Sequence, residues 1–139
     1  MLDFSTVAVG DELPALDLHL RRSDVVRYSG ASTDFNPIHF NDRSARAIGL
    51  PGVVAHGMWT MGAALRIVTD WVGDPGLVVS YFVRFVAPVV VPDDDLGTNV
   101  LVRAQVSALG DQTLTVTIEA TCGDAKVLGA ARAEVRRPA

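Results

Sequence analysis

The stretch from Gly57 to Val72 constrains the fold most. It contains no proline, and its only charged residues are Arg66 and Asp70. Met58, Met61, Leu65, Val68 and Val72 recur at three- and four-residue steps and predict one apolar helical stripe. Ala64, Ile67 and Trp71 add apolar residues on a second side. A helix so apolar around its circumference must be wrapped by other structure. The run Gly73-Asp74-Pro75-Gly76 ends it.

Beyond that helix the chain alternates with period two. Val79, Tyr81, Val83 and Phe85 are expected to share a face, as are Val100, Val102, Ala104 and Val106. Leu114, Val116, Ile118 and Ala120 repeat the pattern, and Val127, Gly129, Ala131, Ala133 and Val135 form the last set. Turn signals at Gly110-Asp111 and Gly123-Asp124 make the final three strands an antiparallel meander. Before the helix, Ala15 to Leu20 predicts a short strand. Ser23 is expected to cap a helix ending by about Phe35, because Pro37 disfavours helical geometry at Asn36. Asp42 is expected to cap a short helix stopped by Gly49 and Pro51. Helices on one face of an antiparallel sheet define an α+β domain.

The chain's 139 residues suffice for one domain, and a 49% hydrophobic content can fill its core. With 12 basic and 16 acidic residues, the net charge is −4. The close basic clusters are pairs, Arg21-Arg22 and Arg136-Arg137, which argues against nucleic acid as a partner. Cys122 is the one cysteine, so no intrachain disulfide forms, and it reads as structural. The apolar runs from Leu77 to Val83 and from Phe85 to Pro92 are interrupted and too short to span a membrane. Met1 to Phe4 lacks the pattern of a secretory leader, so a cytoplasmic location is expected.

Chemistry concentrates between Tyr28 and Gly57. Asp34 and His39 flank a turn fixed by Pro37, and two unlike titratable groups so placed suit a reaction that removes one proton and delivers another. Gly57 opens the apolar helix, where its N–H is an unpaired donor at the positive end of the dipole. A carbonyl oxygen gaining negative charge can be held there. His19 is expected to face solvent or a partner, and His56 reads as a structural or helix-capping residue. Three histidines without a cysteine or acidic cluster at ligand spacing predict no metal centre. No glycine-rich loop joins a strand to a helix, so no nucleotide cofactor is expected.

The run Asp34, Asn36, Pro37, Ile38, His39 and, six positions on, Ala45 resembles the signature of the (R)-specific enoyl thioester hydratases, the MaoC-like hydratases. Ala55-His56-Gly57-Met58 resembles the start of that family's central helix. The similarity extends over nearly the whole chain. In length and wording it is greatest to the catalytic β subunits of actinobacterial (3R)-hydroxyacyl-ACP dehydratases, notably over Val68 to Gly76. The resemblance implies a hot-dog fold, in which a curved antiparallel sheet wraps a long helix. It also implies a dimer with joined sheets and an active site near the interface. By the same resemblance, Asp34 and His39 form the catalytic dyad, Asn36 supports them, and the Gly57 N–H serves the thioester oxygen. One departure stands out: the family has glycine before the aspartate, and here it is Thr33. A β-branched residue resists positive φ, so the backbone there is either ordinary or strained.

The implied activity is reversible hydration of 2-enoyl thioesters or dehydration of (3R)-hydroxyacyl thioesters, without a cofactor. The first substrate expected is an acyl carrier protein thioester in fatty acid elongation, with a non-catalytic hot-dog partner. Arg84, Arg103, Arg132 and Arg136 are candidate contacts to such an acidic carrier. The alternatives are a homodimeric enoyl-CoA hydratase and a hot-dog subunit that binds an acyl thioester without turning it over.

Overall fold

A computed structural model describes residues 2–138. Strand β1 (Leu16–Leu20) leads into helix α1 (Arg22–Ser32), a 3-10 turn (Pro37–His39) and helix α2 (Asp42–Ala47). Helix α3 (Gly57–Val72) comes next, with the bounds its sequence predicts, and then β2 (Val78–Phe85), β3 (Thr98–Leu109), β4 (Thr113–Cys122) and β5 (Ala125–Arg136). The strands form one five-stranded sheet in the order β1-β3-β4-β5-β2, and every neighbouring pair is antiparallel. Strands β3 and β4 have their expected inward set, Val100, Val102, Ala104, Val106, Leu114, Val116, Ile118 and Ala120 all being buried, whereas in β5 Val127, Ala131, Ala133 and Val135 are buried together with Leu128 in place of Gly129. This face packs on α3, giving the α+β hot-dog arrangement.

The sheet covers one side of α3 rather than encircling it. The buried residues of α3 are Thr60, Ala64, Ile67, Val68 and Val72. The expected methionine–leucine stripe is therefore displaced. Small side chains such as Thr60 and Ala64 let the helix lie close to the sheet, while Met61 and Leu65 fall on the half-buried flank. Met58 is 61% exposed.

β2 also departs from strict alternation. Its pairing with β5 shifts between Val78 and Ser80 and again between Phe82 and Arg84. A bulge changes which face the following residues take. Val78, Tyr81 and Val83 pack against the core, whereas Val79 and Phe85 are exposed. The Tyr81 hydroxyl is buried with no hydrogen-bond partner, and burial pushes its pKa up to about 12. An unsatisfied buried hydroxyl is destabilising. Tyr81→Phe should therefore raise stability by about 1 kcal/mol, read as a higher urea midpoint.

The helix starts differ by a residue or two from expectation. Arg21, not Ser23, is the N-cap of α1, because the Asp24 carboxylate accepts the Arg21 N–H at 2.9 Å. Asn41, not Asp42, caps α2, its Oδ1 accepting the Ser44 N–H at 2.9 Å. Asp42 is occupied elsewhere. Its Oδ1 accepts the Val53 N–H at 2.9 Å, and its carboxylate pairs with Arg22 at 2.9 Å. These contacts hold its pKa below the usual carboxylate value, the Val53 N–H contributing most. They also tie α1 and α2 to the segment that delivers α3.

α1 ends at Ser32, earlier than Pro37 alone requires. Thr33 terminates it in the left-handed region, at φ 61° and ψ 15°. The departure from glycine at this position is thus strained rather than ordinary. A left-handed L-residue costs roughly 1–2 kcal/mol, and glycine's extra freedom in the unfolded chain returns roughly 0.5–1 kcal/mol of that. The Thr33 side chain is exposed, so little packing is lost on removing it. Thr33→Gly should raise stability by up to about 1 kcal/mol, visible as an increase in Tm.

Candidate active site

Between α1 and α2 the chain is held by side chains bonding to nearby backbone. The Ser32 hydroxyl donates to the Tyr28 carbonyl at 2.7 Å and accepts the Asp34 N–H at 3.3 Å. Asp34 Oδ1 accepts the Asn36 N–H at 3.1 Å, and Asn36 Oδ1 accepts the Ile38 N–H at 3.3 Å. Short polar side chains followed by proline favour such local turns. Asn36 thus caps the 3-10 turn that carries His39, and its own N–H fixes one Asp34 oxygen.

The other wall comes from the segment before α3. Val54 bridges Val90, and Ala55 N–H donates to the Val89 carbonyl at 2.8 Å. The Val54 N–H donates to Ile38 at 3.2 Å, and the Val54 carbonyl accepts from His39 Nδ1 at 2.8 Å. A carbonyl can only accept, so Nδ1 carries the ring proton and Nε2 of neutral His39 bears the lone pair. Nε2 faces Asp34 Oδ2 at 3.8 Å, too far for a direct hydrogen bond. The His39 side chain is 8% exposed and that of Asp34 is 53% exposed. Burial lowers the His39 pKa from its ordinary 6.5. The Val54 carbonyl opposes this, the neighbouring His56 adds to it, and Asp34 opposes it more weakly.

Gly57 is the first residue of α3, and its N–H has no intrahelical acceptor. Two cavities meet there. One, of about 410 Å³, is lined by His39 and by apolar groups including Ile38, Leu50, Val54 and Leu128. The other, of about 470 Å³, is lined by Tyr28, Ser32, Asp34, His56 and Met58. Gly57 and Phe85 line both. A Cβ placed on Gly57 would sit 3.1 Å from the Phe85 ring, so glycine lets this aromatic side chain lie against the start of the helix. A further hollow of about 330 Å³ against β3 and β4 contains Glu12, Arg103, Gln105 and Glu119 but no histidine–carboxylate pair beside a helix N-terminus.

The structure therefore brings the Asp34 and His39 side chains face to face and sets Gly57 beside both. Asn36 lies one turn away, acting on the backbone. Two participants in this region escaped the sequence reading. Phe85 is assigned by alternation to the same face as Tyr81 and Val83, and the register shift in β2 separates it from them. His56 reads as structural, yet its ring stacks on His39 with centroids 3.6 Å apart and planes inclined by 20°. Its one sequence signal is its place immediately before Gly57. Donor atoms of Asp34, His39 and His56 all lie within 4.8 Å of one another. Stacked imidazoles hold their in-plane lone pairs in separate, nearly parallel planes, so this arrangement does not suit a shared metal ion.

Of the arginines considered for a carrier surface, Arg103 stands opposite Glu119 of β4 and Arg84 opposite Gly129 of β5. Arg132 lies over the Phe82 ring at 4.8 Å, and Arg136 stands opposite Thr113 at the C-terminal end of β5. His19 is exposed, and its Nε2 contacts the Leu96 carbonyl at 2.6 Å. No helix among the described residues is long and apolar enough to cross a membrane.

A curved antiparallel sheet packed on one long helix, with the Asp34 and His39 side chains facing each other near that helix's N-terminus, is the arrangement of a hot-dog domain. The MaoC like domain model matches residues 5–123, and the chain belongs to that family. Among characterised relatives, 3-hydroxyacyl-thioester dehydratase X of Mycobacterium tuberculosis is 39% identical over 79 residues, covering 57% of this chain and 27% of that protein. The (R)-specific enoyl-CoA hydratase of Rhodospirillum rubrum is 30% identical over 122 residues, covering 86% and 81%. A solved MaoC-like dehydratase superposes with a TM-score of 0.93 at 39% identity, over 97% of this chain and 42% of that one. A chain of the ChsH1-ChsH2 complex from Mycobacterium tuberculosis gives a TM-score of 0.81 at 25% identity, over 95% and 100%. The chain thus spans 27% of dehydratase X and 42% of the solved MaoC-like dehydratase.

Proposed function

We propose that the protein catalyses reversible hydration of 2-enoyl thioesters and dehydration of (3R)-hydroxyacyl thioesters. The observation that carries this is the placement of His39 Nε2 opposite the Asp34 carboxyl group at 3.8 Å, beside the free N–H of Gly57. In dehydration, one proton leaves Cα, the β-hydroxyl takes a proton and departs as water, and the Cα–Cβ double bond forms. His39 and Asp34 divide the proton work, and the Gly57 N–H holds the thioester oxygen as it becomes enolate-like. The apolar cavity beside His39 suits the acyl chain. The more polar one beside Asp34 suits the thioester's carrier end.

The unit that works is a pair of hot-dog domains. β2 is an edge strand that exposes Val79, Phe82 and Phe85, and Phe85, Val86 just beyond it and the exposed Met58 of α3 line the cavities at the site. An exposed apolar edge strand is a ready template for another strand. The match to a chain of a two-protein complex, and to a chain more than twice this one's length, supports a second domain there, from a copy or from a different hot-dog subunit.

The test is to follow the enoyl absorbance of crotonyl-CoA, a longer enoyl-CoA and the matching carrier-protein thioesters, with and without a co-expressed hot-dog subunit. Conversion to the (3R)-hydroxyacyl product is the expected result, and the better carrier identifies the physiological thioester. Thermal stabilisation by every enoyl thioester without turnover would instead make the chain a binding subunit.

A further inference from the structure

His56 is absent from the chemistry proposed above, yet it touches each part of the site. It is 2% exposed. Its Nε2 lies 3.1 Å from the Asp34 carbonyl and 3.3 Å from Ser29 Oγ. A carbonyl accepts only, so the Nε2–H donates to Asp34, with the serine oxygen as a second acceptor. One face of the ring stacks on His39, and Tyr28 meets it edge-on with centroids 4.8 Å apart. The backbone of His56 is the N-cap of α3, its carbonyl accepting the Thr60 N–H at 3.1 Å. It therefore also sets where the Gly57 N–H begins. Its Nδ1 is buried without a partner.

We propose that His56 is a positioning residue of this site, gripping the Asp34 backbone with its Nε2–H and backing the His39 ring with its own face. The inference rests on the reaction proposed above. A histidine retained only to fill space would need neither contact. Apolar residues fill most of the surrounding core, and a buried ring nitrogen without a partner is unfavourable there. The stack gives His56 a hold on protonation at His39. The groups facing His39 are Asp34 from the turn and His56 from the start of α3, with Tyr28 of α1 behind His56. A charge on His39 would lie against a buried ring whose nearby hydrogen-bonding atom, Nε2–H, is itself a donor. His56 accordingly acts with burial in favouring neutral His39, while Asp34 opposes both.

Two substitutions separate the roles. His56→Gln keeps an N–H for the Asp34 carbonyl and removes the ring. His56→Phe keeps a ring against His39 and removes the donor. The His39 ring protons are titrated by NMR in the wild type and both variants, and kcat and KM are measured across pH. In His56→Gln, the His39 midpoint should rise toward its ordinary 6.5, with the acid limb of kcat/KM moving alongside it. In His56→Phe, the imidazole and its donor are lost, so the midpoint should rise as well, while kcat falls roughly tenfold or more, because Asp34 loses its anchor. An unchanged midpoint in His56→Gln together with unchanged kcat in His56→Phe overturns the proposal. So does loss of the folded amide spectrum in both variants, which would make the role purely structural. If the wild type turns over no enoyl thioester, the reaction assignment fails. The His39 midpoint in folded protein still decides whether His56 acts on His39.

Discussion

Asp34→Asn and His39→Ala should each lower kcat/KM for enoyl-thioester hydration by about 10²–10⁴-fold, the range expected for losing a positioned acid or base. The aspartate substitution isolates chemistry well. Asparagine keeps an oxygen for the Asn36 N–H, so the turn survives while the second carboxylate oxygen facing His39 is lost. His39→Ala removes more, because it also leaves the Val54 carbonyl without its Nδ1 partner. That loss should cost about 1–3 kcal/mol of stability. His39→Asn is the cleaner companion, since an asparagine amide can still donate to Val54 but has nothing in place of Nε2. Its unfolding midpoint should fall less than that of His39→Ala, with activity equally low. Near-wild-type turnover in both Asp34→Asn and His39→Ala would sink the mechanism. Burial holds the His39 pKa below 6.5, so the acid limb of kcat/KM should lie below that pH. The same shift makes stability fall with acid. The contribution is intact above the unfolded value near 6.5, begins to be lost below it, and is fully lost beneath the depressed native value.

Gly57→Pro is expected to reduce kcat by about 10²–10³-fold, the usual penalty for deleting one oxyanion donor, with α3 still formed. Proline is accepted at the first position of a helix, where its missing N–H has no intrahelical role. His56 already has φ −62° and ψ 133°, the extended geometry that a residue before proline adopts. Gly57→Ala is the control. It keeps the N–H, and its Cβ would need the Phe85 ring to yield from 3.1 Å, which a half-exposed edge side chain can do. A large loss with proline and a small one with alanine assigns the effect to the N–H. Equal losses would assign it to crowding against Phe85.

Much of this arrangement is written locally in the chain. The bounds of α3 come from Gly57, Gly73 and an unbroken apolar run, and β3, β4 and β5 come from their alternation and two glycine turns. The convergence of Asp34 and His39 is legible because Asn36 and Pro37 dictate the intervening turn through neighbouring atoms. The illegible parts depend on contacts distant in sequence. Phe85 is separated from Tyr81 and Val83 by a mismatch between β2 and β5 that β2 alone does not encode. The displaced face of α3 depends on how closely the sheet approaches Thr60 and Ala64. The N-cap at Arg21 is a local exception: Asp24, three residues on, reaches back to its N–H, where residue preference points to Ser23. The importance of His56 lies in a ring stacked on a residue seventeen positions earlier, reached only through the pairing of Val54 with Val90.

The short gap between Asp34 and His39 also has a stereochemical meaning. Groups separated by 3.8 Å and lining adjoining cavities can reach only one face of a flat, conjugated thioester. In the proposed hydration, hydrogen and hydroxyl should then be added to that same face, as a syn addition. In deuterated water, the label at Cα and the oxygen at Cβ would enter together from one side, giving a single diastereomer.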